Sequence, residues 1–153
     1  MGLVKRRHLS PIIARGLLFA IAASLSFWQV RVWAMPLQVE LDAFSGRPNP
    51  RWELPETKAA EFLMQLRALL PAHGSHSAAD GLGYRGFIVS GKVGPVDGYD
   101  EVRLYLGTVL TRRGDHVEAW SDPGRVLERQ LLESALGRVD EHVLRYIQGE
   151  IGR

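Results

Sequence analysis

Residues 101–120 read EVRLYLGTVLTRRGDHVEAW. Over 101–111, Val102, Leu104, Leu106 and Thr108 alternate onto one face together with Leu110, while Arg103, Tyr105 and Val109 share the other. A period of two marks an extended strand. Arg113-Gly114-Asp115 then supplies a tight turn, where glycine tolerates the left-handed backbone of a short hairpin loop, and 116–120 resume as a strand. A connection this short joins antiparallel neighbours, so the sheet is expected to be antiparallel.

The flanking sequence extends this pattern. Upstream, 84–89 read as a strand, and in 37–44 Leu37, Val39, Leu41 and Ala43 alternate with Gln38, Glu40 and Asp42. Between them, Pro55 stands where a first helical residue belongs, and Ala59, Phe62, Leu63, Leu66, Leu69 and Leu70 follow at helical spacing until Pro71. Residues 72–83, rich in Gly, Ser, Ala and His, read as a surface loop. Downstream, Asp122-Pro123 opens a helix with Leu127, Leu131, Leu132, Ala135 and Leu136 facing inward and Gly137 as its stop. Asp140 caps a second helix with Val143, Leu144, Ile147 and Ile151 on its apolar side and a Glu141–Arg145 pair at i,i+4. The expected class is α+β: a small antiparallel sheet of about four strands, order β-α-β-β-β-α-α, covered on one side by helices.

Residues 1–34 carry a different signature. Lys5, Arg6, Arg7, His8 and Arg15 precede an uncharged run, GLLFAIAASLSFW at 16–28, that is short for a bilayer span but suits the apolar region of an export signal. Val32-Trp33-Ala34 places short side chains where a signal peptidase needs them, so cleavage is expected after Ala34, with a retained membrane anchor as the alternative. Arg6-Arg7 partly matches a twin-arginine signal. The expected domains are therefore a signal peptide at 1–34 and a single α+β domain at 35–153. Membrane contact is expected only through the signal, and the address is periplasmic where an outer membrane exists and extracellular otherwise.

Removing 1–34 takes five of the 19 Lys and Arg residues and none of the 17 Asp and Glu, leaving an acidic domain. The basic stripe that a phosphate backbone requires is then missing, which argues against nucleic acid as a partner. The chain has no cysteine, so thiol catalysis, thiolate metal sites and disulfides are excluded.

The most unusual stretch is FSGRPNPRW at 44–52, where Arg47 and Asn49 each precede a proline and are driven toward extended backbone. A stiff loop presenting the Arg47 guanidinium and the Asn49 carboxamide beside the Trp52 indole suits the grip of a carboxylate or a sugar. The plainer reading is a rigid connector, with Arg47 paired to a neighbour such as Asp42 and Trp52 in the core. His73, His76 and Asp80 resemble a weak metal set, and Asp97, Asp100 and Glu101 an acidic turn with calcium-like chemistry. His116, Glu118 and His142 are loose acid–base candidates, and no nucleophile elbow, phosphate loop or dinucleotide fingerprint is present. The expectation is a non-catalytic binding or interaction module without metal or cofactor, using Arg47, Asn49 and Trp52 toward an envelope ligand or a protein partner. The alternative is a small envelope-acting hydrolase with carboxylate and histidine chemistry.

Overall fold

The computed structural model describes residues 36–74 and 82–153. The expected signal at 1–34, and His76 and Asp80, lie outside the described residues.

Alternation in 37–44 does produce a strand. β1 (Leu37–Asp42) buries Leu37, Val39 and Leu41 and turns Gln38 and Glu40 the other way. It pairs on one side with the short β2 (Arg51–Glu53) and on the other with β4 (Gly86–Gly91). The helix α1 (Glu56–Arg67) follows β2, and β3 (Leu70–Pro71) follows α1. Beyond β4 the chain meanders through β5 (Glu101–Tyr105), β6 (Thr108–Arg113) and β7 (His116–Ser121), then closes with α2 (Val126–Ser134) and α3 (Glu141–Gly152). Among the described residues this makes a seven-stranded antiparallel sheet in the order β2-β1-β4-β5-β6-β7-β3, with three helices.

The α+β class agrees with the expectation, but the sheet of about four strands in the order β-α-β-β-β-α-α does not. Its largest error lies in 101–111, which form two strands rather than one. Leu106 and Gly107 take positive φ of 44° and 83° and make a two-residue turn closed by the Tyr105–Thr108 pair. Folding back about this turn sets Leu104 opposite Val109 and Val102 opposite Thr111, so the core-facing parity changes after the turn. Val109, expected beside Arg103, is fully buried, and Leu110 instead lies opposite Arg103.

Two further strands were hidden by their brevity. β2 needs only Trp52 to face inward, opposite Val39. β3 takes residues read as the end of the first helix: α1 stops at Arg67, and Leu70, 74% exposed, pairs with Ser121 at the sheet edge. Pro71 is tolerated there because an edge position makes no demand on its missing N–H. Leu136, expected inward, is 68% exposed, because α2 ends at Ser134 before reaching it.

Core-facing strand residues in register, Val39–Val89–Val102 and Leu41–Phe87–Leu104, form one face of the sheet. They share a core with Ala59, Phe62 and Leu66 of α1, Leu127 and Leu131 of α2, and Leu144, Ile147 and Ile151 of α3. Each fully buried Leu or Phe here contributes roughly 1.5–3 kcal/mol. Trp52 packs edge-on against Phe87 at 6.4 Å and donates its indole N–H to Ser134 Oγ at 2.9 Å, which ties β2 to the end of α2. The Asp140 carboxylate accepts from His142 N at 2.9 Å and Val143 N at 3.4 Å, and Arg145 pairs with Glu141 at 3.1 Å.

Candidate binding cleft

The 44–50 loop leaves β1 and must return as β2 within seven residues, so its shape is tightly constrained. Gly46 turns at φ 88°, and Pro48 and Pro50 fix their own φ. Asn49 holds the loop from within. Its Oδ1 accepts from Ala43 N at 3.3 Å and Phe44 N at 3.1 Å, while its Nδ2 donates to Glu40 Oε1 at 2.9 Å and Asp42 Oδ1 at 3.2 Å. The Asn49 carboxamide therefore meets the chain itself, and Trp52, 6% exposed, lies in the core.

Asp42 anchors the base of the loop. Arg85 donates to Asp42 Oδ1 and, at 3.1 Å, to the Phe44 carbonyl, and Arg103 reaches Asp42 Oδ2 at 3.3 Å. Burial works to raise the Asp42 pKa, but the hydrogen bonds from Arg85 and Asn49 and the charges of Arg85 and Arg103 outweigh it, holding the group below its ordinary 3.8. A carboxyl depressed on folding stabilises the native state above its unfolded pKa, and that contribution is lost as pH falls through the folded value. Asp42→Asn is expected to cost about 2 kcal/mol at neutral pH, since the partners are only partly shielded from water. It is also expected to flatten the loss of stability below pH 3.8. Urea denaturation from pH 7 to pH 2 measures both, and an unchanged acid slope in the variant contradicts the assignment.

With Asp42 occupied by Arg85 and Arg103, Arg47 goes elsewhere: its guanidinium carbon sits 3.6 Å from the centroid of the Phe44 ring, an energetically useful cation–π distance. Arg47 is exposed at the mouth of a cleft of about 220 Å³, whose other lining residues are Phe44, Pro48, Pro50, Arg138, Val139, Asp140 and Val143. One wall is the 44–50 loop, and the other is the α2–α3 connection with the first turn of α3. Among the described residues, no acidic group lies within ion-pair distance of Arg47 or Arg138, whereas Arg51, Arg67, Arg85, Arg103 and Arg112 all have carboxylate partners.

Arg138 was invisible at the level of sequence. It lies between an expected helix stop and an expected cap, in a segment with no periodicity, and its proximity to Arg47 is purely tertiary. The only available signal was its place in a short helix–helix link, where exposed side chains converge on neighbouring loops.

The other candidates have structural roles. Asp97 receives two hydrogen bonds from Arg67, at 2.9 and 2.6 Å, which hold its pKa down. Asp100 accepts the Gly114 N–H at 2.7 Å and so closes the β6–β7 turn, and Glu101 lies near Arg103 and Arg112. Among the described residues there is no group of three or more His, Asp or Glu side chains placed to hold a metal. His116 and Glu118 project from the exposed part of β7 and His142 from the first turn of α3, and none of them lines a cleft described here.

A second cleft, about 340 Å³, lies between the end of α1, β3 and the start of α2, with Leu69, Leu70, Pro123, Val126 and Leu127 in its walls. Its one carboxylate, Asp122, is engaged by Val126 N at 2.9 Å and Leu127 N at 3.0 Å, so this cleft offers mainly apolar contact.

Comparison of the chain with protein-family models, curated proteins and solved structures finds no match. Functional inference therefore rests on the geometry of the clefts.

Proposed function

We propose that the protein is an exported, non-catalytic binding module that takes an anionic ligand in the cleft between Arg47 and Arg138. The observation that carries this reading is the pair of exposed guanidiniums on one cleft with no acidic partner among the described residues. Each presents a fork of N–H donors suited to a carboxylate or phosphate. The Asn49 hydrogen bonds keep the Arg47 loop in shape before a ligand arrives, which lowers the entropy lost on binding. Asn49 and Trp52 support the surface, and Arg47 and Arg138 make the contact.

Two solvent-facing guanidiniums give modest affinity, with a Kd of about 1 mM for a simple anion at low salt. Arg47→Ala with Arg138→Ala is expected to weaken binding of acetate at least about tenfold without changing the melting temperature, because neither side chain holds the fold together. Chemical-shift titration measures this, and equal affinity in the double variant refutes the site. Export is supported by the charge and hydropathy pattern of residues 1–34. The exported protein is expected to begin at Met35, and N-terminal sequencing that finds residues preceding Gly16 contradicts this.

A further inference from the structure

We infer that the ligand is a monoanionic carboxylate carried on an apolar or aromatic group, about the size of benzoate or the last residue of a peptide. This rests on reading the cleft as an anion site, and adds three observations about its walls. Phe44, Pro48, Pro50, Val139 and Val143 make five of the eight lining residues apolar, more hydrocarbon than a small hydrated ion can use. Apolar surface of this kind is left exposed at a cost unless a ligand covers it.

Charge narrows the class further. Asp140 also lines the cleft, with its carboxylate held in place by the N–H groups of His142 and Val143. Its fixed negative charge leaves the two guanidiniums with a net charge of one to be matched, which favours a single carboxylate over a phosphate dianion. Size points the same way. A volume of about 220 Å³ corresponds to the liquid volume of about seven waters, enough for one ring or one short side chain with its carboxylate. The guanidinium of Arg47 covers one face of Phe44, so the apolar group meets the proline and valine walls while the carboxylate faces the guanidinium edges.

A free aromatic or aliphatic acid and a peptide C-terminus share this chemistry, and one experiment separates them. The isotopically labelled protein is titrated at fixed ionic strength with benzoate, benzamide, acetate, inorganic phosphate, and N-acetyl-Gly-Phe as acid and as amide. Benzoate is expected to bind about tenfold more tightly than acetate or phosphate and to shift the Val139 and Val143 amides, with benzamide at least about tenfold weaker. Arg138→Ala is expected to bring benzoate down to the level of benzamide. If the peptide acid matches or exceeds benzoate, the source is a chain terminus; if only benzoate binds, it is a free acid, and either result supports the shared chemistry. Acetate or phosphate binding as tightly as benzoate overturns the inference while leaving the anion site intact. Benzamide equal to benzoate, or no binding by any probe, overturns both.

Discussion

Glu128→Ala is expected to lower stability by about 4 kcal/mol, enough to leave much of the protein unfolded at physiological temperature. Glu128 is 1% exposed, and no Lys or Arg pairs with it among the described residues. Its carboxylate is instead satisfied by three donors: the Tyr84 hydroxyl at 2.7 Å, Leu106 N at 2.9 Å and Gly107 N at 2.9 Å. Those two backbone groups belong to the turn between β5 and β6, in which Leu106 has an unfavourable positive φ. Glu128 thus holds the central hairpin in its bent form from α2. Alanine leaves three donors buried without acceptors, each costing about 1–3 kcal/mol, partly relieved by water entering the space.

Tyr84→Phe removes a single donor and leaves Glu128 with the two turn N–H groups, so it is expected to cost only about 1 kcal/mol. Burial, and then the nearby Glu128 charge, push the Tyr84 pKa upward, so the hydroxyl stays protonated and donating across the range in which proteins are normally folded. Chemical denaturation of both variants gives the comparison. A loss at Glu128→Ala no greater than at Tyr84→Phe contradicts the clamp.

Gly86→Ala is the second change expected to have a large effect, a loss of about 3–5 kcal/mol. Gly86 begins β4 at φ 109°, and a Cβ there would stand 2.0 Å from the Leu104 carbonyl oxygen of β5. That obstacle is backbone, fixed by the Phe87–Leu104 pairing, so relief requires parting two central strands. Gly46, also at positive φ but with nothing within 4 Å of a Cβ, serves as the control. Gly46→Ala is expected to cost only the backbone strain, about 1 kcal/mol. Similar losses at the two positions would mean that close strand approach is not what Gly86 provides.

What was legible in the sequence was whatever depends on neighbours within a few residues. The alternation in β1, the Asp140 cap and the Glu141–Arg145 pair arise from local geometry and occur where expected. The Leu106–Gly107 turn was not legible, because leucine rarely adopts positive φ and the compensating carboxylate lies 22 residues away on α2. Gly107 alone was the hint, since an isolated glycine in a strand pattern often marks a break. β2 and β3 are too short to show a period at all.

The site followed the same division. The rigidity of 44–50 could be read from Pro48 and Pro50, but which arginine stays available could not. Asp42 might have paired with Arg47, five residues on; tertiary structure gives it to Arg85 and Arg103, at separations of 43 and 61 residues. Arg47 is left to stack on Phe44 and to meet Arg138 across a cleft that only the completed fold creates.

The most direct test of that cleft follows the arginine side-chain Nε–H resonances during a titration with benzoate. The signals of Arg47 and Arg138 are expected to move together with a single Kd, while those of Arg51, Arg85 and Arg103, already engaged by Glu40 and Asp42, stay in place. Movement of the engaged arginines with Arg47 and Arg138 unaffected, or no movement at any arginine, contradicts the assignment.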